Sequence, residues 1–168
     1  RSDTGIQHGT VTVMIGSEGY EVTTYRMDGE YEDHRHPKEV IFTPDLVEDL
    51  KRRDSTINAM AYNETSGLID EFDGLGDLER RCIRCVGSPR ERFEEDALRM
   101  LRGIRFAGQL QFHIEEKTKE AIGEIAPTLV NVSAERIRTE LTKLLCSKGS
   151  DRLMPADRKS TRLNSSHS

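Results

Sequence analysis

A chain of 168 residues is long enough for one domain or for two small pieces of a larger protein, and its 35% hydrophobic content predicts a thin core. No run approaches the roughly 18 apolar residues of a membrane span, no charged-then-apolar signal segment is seen, and three cysteines are an odd number for a disulfide framework, so a soluble, cytoplasmic protein is expected. The net charge of −5 is unevenly spread: residues 1–79 hold 7 Lys and Arg against 18 Asp and Glu, whereas residues 80–105 hold 8 Arg against 4 acids, and such an arginine-rich patch suits bidentate contacts to phosphate or carboxylate.

In chain order, HGTVTVMI (8–15) and YEVTTYRM (20–27) alternate around a GSEG turn and predict a β-hairpin. Glu21 falls at the start of its second strand, where a solvated carboxylate is the ordinary outcome. DGEYEDHRHPKEV then reads as a mobile polar loop. Its His34 and His36 lack a third metal ligand. Leu46, Val47 and Leu50 mark a helical stripe, and Ile57, Ala59, Met60 and Ala61 a second apolar patch. RRDSTINAMA between them crowds Arg52, Arg53, Asp54, Thr56 and Asn58 together, and paired arginines at a helix junction make a ready phosphate clamp or simply a charged helix end. GLIDEFDGLGDL predicts a short strand and a Gly-rich turn at Gly74 and Gly76. RRCIRCVG predicts a last strand, placing Cys82 and Cys85 on opposite faces as half-buried thiols rather than a zinc or disulfide pair.

From Pro89 onward only helices are expected, near 89–95, 95–109, 115–126 and 133–147. The last has Ser133 as N-cap and Ile137, Leu141, Leu144 and Leu145 as its stripe. Within EEDALRMLRGIRF (94–106), Ala97, Met100, Leu101 and Ile104 share one sector of a helix while Asp96, Arg99, Arg102 and Gly103 share the opposite one. Asp96 and Arg99, three apart, set an acceptor-only carboxylate beside a planar donor fork. Cytosine and adenine each offer an amine beside an unprotonated ring nitrogen, which this edge matches; uracil and guanine present the reverse polarity. The competing reading is a surface ion pair worth a few tenths of a kcal/mol. Residues 157–168, DRKSTRLNSSHS, look like a translated sequencing adapter, and the chain is expected to be a fragment cut at both ends.

Taken together, RRDSTINAMA (52–61), DEFDGLGDL (70–78), EEDALRMLRGIRFA (94–107) and SAERIRTELTKLL (133–145) resemble, in order, motifs of the class II tRNA nucleotidyltransferase and bacterial poly(A) polymerase family, of the polymerase-β-like nucleotidyltransferase superfamily. The resemblance implies an α+β fold with a partial nucleotidyltransferase head at 1–87 (a small, mostly antiparallel sheet), an all-helical, nucleotide-selecting neck at 88–156 and a non-native tail at 157–168. It implies that Asp96 and Arg99 select the base, that Arg52, Arg53, Asp54 and Asn58 contact sugar and phosphate, and that Arg102 faces the nucleotide. Glu21 corresponds to the third carboxylate of the catalytic sheet, a catalytic and metal-linked position. The family's Asp-x-Asp pair, which holds two Mg²⁺ ions, has no counterpart before residue 8. The implied activity of the longer parent is addition of CMP and AMP to the tRNA 3′ end from CTP and ATP with Mg²⁺. Alternatives are a poly(A) polymerase using ATP only, or a non-catalytic nucleotide- or RNA-binding fragment. No membrane, disulfide or zinc partner is expected.

Overall fold

A computed structural model describes residues 9–28, 31–32, 36–37 and 40–147. The expected hairpin is present: β1 (Thr10–Ile15) and β2 (Glu18–Thr23) pair antiparallel, with Thr12 opposite Glu21 and Val13 opposite Tyr20. Gly16, at φ 64°, opens the two-residue turn between them. Strand alternation sends Val11, Val13, Ile15, Tyr20 and Val22 to one face and Thr10, Thr12, Glu21 and Thr23 to the other.

The stretch expected to be a polar loop contains a second ladder. Strand β3 (Arg26–Asp28) pairs antiparallel with β6 (Val40–Phe42), and between them β4 (Tyr31–Glu32) pairs with β5 (His36–Pro37). Main-chain pairing needs no apolar alternation, which is why composition concealed it. His34, residues 1–8 and the 157–168 tail lie outside the described residues.

Helix α1 (Leu46–Lys51) starts where Asp45 accepts from the Val47 amide. A short 3-10 turn at Thr56–Asn58 leads to a third hairpin, β7 (Ala61–Asn63) with β8 (Gly67–Ile69). Ala61, read with the apolar patch before it, is therefore strand. The Gly-rich turn is instead the first turn of helix α2 (Gly74–Arg80). Asp70 supplies its N-terminal acceptors, taking the amides of Gly74 at 2.6 Å and Leu75 at 2.9 Å. Glycine is required at 74 because a Cβ there would stand 2.3 Å from the Thr56 carbonyl oxygen.

The remainder is helical except for one bridge. Helices α3 (Pro89–Glu95), α4 (Leu98–Leu110), α5 (Glu116–Ile125) and α6 (Ala134–Leu145) pack as α3 on α5 and α4 on α6. Strand β10 (His113–Ile114) interrupts them and pairs parallel with β9 (Cys82–Ile83), a two-residue contact too short to read from periodicity. The α+β class holds. Its sheet content, however, is five separate two-stranded ladders among the described residues rather than one sheet.

One core cluster joins Cys85, Phe93, Ala97, Met100, Ala121 and Ile125; a second joins Leu50, Ala59 and Val86. Phe93 and Met100 are fully buried, each contributing about 1.5–3 kcal/mol. The α6 stripe is only partly covered: Leu144 is buried while Leu141 and Leu145 remain exposed. No described helix is long and apolar enough to cross a membrane.

Candidate functional site

The segment after α1 is organised by a buried carboxylate. Asp49 accepts from Arg52 Nε at 3.1 Å and Nη2 at 3.0 Å, from Arg53 Nη2 at 2.9 Å, and from the Arg26 amide at 3.1 Å. Burial pushes its carboxyl up, but the hydrogen bonds from Arg53 and the Arg26 amide and the charge of Arg52 outweigh burial and hold it below the ordinary range. Arg52 is itself lowered, by burial first and by the nearby charge of Arg26 second. The two arginines are thus unequal. The Arg52 side chain is 14% exposed and committed to Asp49, whereas Arg53 is 43% exposed and open to an anion.

Asp96 does not sit within a continuous helix. Its backbone is extended, at φ −149° and ψ 105°, and separates α3 from α4. Ala97 already has helical torsions, and Asp96 Oδ1 accepts from the Leu98 amide at 3.0 Å, so Asp96 acts as the N-cap of α4. Its other oxygen meets Arg136 Nη2 at 2.8 Å, from α6. The i,i+3 ion pair between Asp96 and Arg99 is therefore not the arrangement adopted; Arg99 Nη1 pairs with Glu95. The two residues still stand at the same helix start, and the Arg99 amide donates to the Asp96 carbonyl at 3.0 Å.

Arg99 and Arg102 carry α4 across to the Arg-Arg-Asp segment. Arg99 Nη2 donates to the Arg52 carbonyl at 3.3 Å. Arg102 Nε donates to Asp54 Oδ2 at 2.6 Å, and Asn58 Nδ2 donates to Asp54 Oδ1 at 3.2 Å. Arg52, Arg53, Asp54, Asn58, Asp96, Arg99 and Arg102 consequently form one neighbourhood, joined by hydrogen bonds or by adjacency in the chain. A cleft of about 500 Å³ is lined in part by Thr56, Phe72, Arg84 and Lys117, and by none of these seven residues.

Behind Thr56 lies a second buried carboxylate. Asp77 accepts from Thr56 Oγ1 at 2.6 Å, Arg80 Nη2 at 2.8 Å and Arg84 Nε at 2.8 Å. Burial raises its carboxyl, and these donors together bring it below the ordinary value. They tie α2 and β9 to the 3-10 turn that carries Asn58.

Glu21 stands apart. It is exposed on the threonine face of the first hairpin, opposite Thr12, and shares no hydrogen bond or ion pair with the side chains of residues 49–58. A Mg²⁺ site needs several oxygen ligands in octahedral array. The face of the hairpin carrying Glu21 offers no second carboxylate, and among the described residues no three His, Cys, Asp or Glu side chains converge. The described residues around Glu21 do not fit the ion. Cys82 and Cys85 are both buried rather than half-buried, and burial pushes the Cys85 thiol up to about 12.

Residues 1–84, half the chain, match the poly A polymerase head domain. The chain belongs to the poly A polymerase head domain family. A second match, over residues 111–155, is to the probable RNA and SrmB-binding site of polymerase A. Among curated relatives of this family member, the CCA-adding enzyme of Lactobacillus delbrueckii subsp. bulgaricus is 55% identical over 148 residues, covering 88% of this chain and 37% of the relative. That of Enterococcus faecalis is 57% identical over 143 residues, covering 85% and 35%. The crystal structure of Bacillus stearothermophilus CCA-adding enzyme in complex with CTP superposes with a TM-score of 0.82 at 43% identity, covering 91% of this chain and 36% of that one. The chain thus spans little more than a third of the length of the relatives it matches.

In this member of the family, four residues that organise the neighbourhood, Asp49, Arg92, Glu95 and Arg136, were not among those singled out from sequence. Asp49 sits three and four residues before Arg52 and Arg53, and Glu95 sits three after Arg92 and four before Arg99, so helical spacing carried their signal. The fourth, Arg136, meets Asp96 across 40 residues and had no local signal.

Proposed function

We propose that this chain is the nucleotide-selecting part of a template-independent RNA nucleotidyltransferase that adds CMP and AMP to the tRNA 3′ end from CTP and ATP in the cytoplasm. In this reading residues 1–87 belong to the head and 88–156 to the neck. One observation supports it above the rest: the capping carboxylate Asp96 and the Arg99 fork start α4 directly beside the Arg52–Asn58 segment, so base-reading and phosphate-reading groups occupy one neighbourhood.

The chemistry follows from the donors and acceptors. A carboxylate has about four acceptor positions, so Asp96 can cap α4, hold Arg136 and still take the exocyclic amine of cytosine or adenine. A guanidinium has five donors, and Arg99 supplies one to the unprotonated ring nitrogen. Exposed Arg53 meets the triphosphate, Arg102 reaches the same segment through Asp54, and Asp54 with Asn58 faces the sugar. Phosphoryl transfer in such enzymes relies on metal-held phosphates. The described residues bring together no such magnesium site, so their part is binding and selection.

The family's description favours a second reading, a poly(A) polymerase that takes ATP alone. The experiment that separates the two supplies the longer protein carrying this chain with tRNA lacking its last three nucleotides and with labelled CTP or ATP. Sequential C, C and A incorporation is expected. A homopolymeric A tail without C incorporation overturns the proposal in favour of the second reading.

A further inference from the structure

Two neck arginines grip the C-terminal end of α1. Arg92 Nη1 donates to the Lys51 carbonyl at 3.3 Å, and Arg99 Nη2 donates to the Arg52 carbonyl at 3.3 Å. These are main-chain oxygens at the negative end of a short helix, where cations are favoured. Glu95 lies between the two guanidinium groups, one oxygen on Arg92 and the other on Arg99. Arg99 Nη1 also reaches the Arg92 carbonyl at 3.3 Å. Since Lys51 and Arg52 are joined by a peptide bond, the contacts close a ring: Lys51 carbonyl, Arg92, Glu95, Arg99, Arg52 carbonyl. The Arg92, Glu95 and Arg99 side chains in it are at most 19% exposed, so water does not compete freely for the two Glu95 contacts, while the Lys51 end of the ring is exposed.

Resting on the nucleotide-selecting role argued above, we propose that Arg92 is a positioning residue for base selection: through Glu95 and the Lys51 carbonyl it fixes the direction of the Arg99 fork relative to the Arg52–Arg53 segment. Arg92 does not touch the base. Without it Glu95 loses its second cation, and the ring opens on the side away from Arg52. Arg99 then keeps its charge and its main-chain contacts to the Arg52 and Arg92 carbonyls, but Glu95, held from one side only, no longer fixes the angle of the fork, and an edge with a wider range of angles discriminates less between bases.

The test is binding of CTP, ATP, UTP, GTP and inorganic triphosphate to this chain, for wild type, Arg92→Met, Arg92→Lys and Glu95→Gln, each at a temperature well below its unfolding midpoint. Methionine keeps the apolar stem and removes every donor; lysine keeps one cation that reaches the Lys51 carbonyl or Glu95 but not both. The wild-type chain is expected to prefer CTP and ATP. Arg92→Met should weaken CTP and ATP about tenfold while leaving UTP, GTP and triphosphate unchanged. Lysine should restore part of the preference, and Glu95→Gln should reproduce the loss by an independent route. Arg90→Met, on the same helix but exposed and paired with Glu94 and Glu124, should behave as wild type. Retained preference in Arg92→Met and Glu95→Gln overturns the inference and leaves the proposed function standing. So does a parallel loss of triphosphate binding, because that signals general loosening. A wild-type chain with no preference for CTP and ATP overturns the proposed function, and the inference with it.

Discussion

Arg136 Nη2 stands 2.8 Å from Asp96 Oδ2, joining the first turn of α6 to the N-cap of α4. A cation near the start of its own helix is unfavourably placed with respect to the helix dipole, and the Asp96 carboxylate offsets that cost. Asp96 therefore has a structural duty and a proposed selective one, and substitutions can separate them. Asn caps helices as well as Asp does. Asp96→Ala should cost about 1 kcal/mol more stability than Asp96→Asn, measured by urea unfolding. Asp96→Ala should abolish the preference for C and A over U and G in single-turnover incorporation by the longer protein, and Asp96→Asn, which keeps one acceptor oxygen, should weaken it. If Asp96→Ala, which leaves no side-chain acceptor, retains that preference, Asp96 is not the acceptor for the base.

Asp49 and Asp77 give the fold an acid-labile component. Each carboxyl is held below its ordinary value of 3.8 in the folded chain, so each ionises more readily folded than unfolded. Their stabilisation is fully present above that value and is lost as pH falls through the lower folded values. The urea midpoint should drop steeply below about pH 4, and Asp77→Asn should flatten the drop while lowering stability at neutral pH. A midpoint independent of pH in Asp77→Asn and wild type alike would show that neither group is coupled to folding.

Two glycines should respond in opposite directions. A Cβ on Gly74 would meet the Thr56 carbonyl oxygen at 2.3 Å, a main-chain atom that cannot give way, so Gly74→Ala should destabilise by about 1–3 kcal/mol. A Cβ on Gly103, within α4, meets nothing within 4 Å, and Gly103→Ala should stabilise by about 0.5–1 kcal/mol. Differential scanning calorimetry reads both signs directly.

The cysteines should divide by exposure. Cys146 is exposed, while Cys82 and Cys85 are buried and burial raises both thiols. At pH 8 iodoacetamide should label Cys146 alone, with the other two reacting only as the chain unfolds. Mass spectrometry of the native reaction would contradict this if Cys85 were modified as fast as Cys146.

Because Glu21 faces threonines and no described carboxylate joins it, the 168-residue chain by itself should not extend tRNA even at high Mg²⁺. Extension visible on a sequencing gel would show that a metal site exists where none has been placed.

Much of this was legible from residue order, for reasons that differ by element. The first hairpin and the helices from Pro89 onward follow from alternation and apolar spacing, which are local properties. The helix boundary near residue 95 was legible, but the extended Asp96 at that boundary was not, because Asp96 fits a helical face as well as it fits a cap, and the choice is made by the Leu98 amide and by Arg136 from 40 residues away. The burial of Asp49 and Asp77 was not legible, because only the arginines folded onto them make it tolerable. The β9–β10 bridge is two residues long and depends on a chain reversal through α3 and α4. Periodicity has nothing to say about such contacts.

The first hairpin has a further consequence, for how the chain behaves in solution. Among the described residues β1 and β2 pair only with each other, so both have an outer edge of main-chain donors and acceptors. One face presents Val11, Val13, Ile15, Tyr20 and Val22, each about half exposed or more. Unpaired edges beside an apolar surface are a template for strand addition between molecules. Concentrated samples of this chain should therefore self-associate through the hairpin, and a charged residue at Val13 is the substitution that keeps them dispersed.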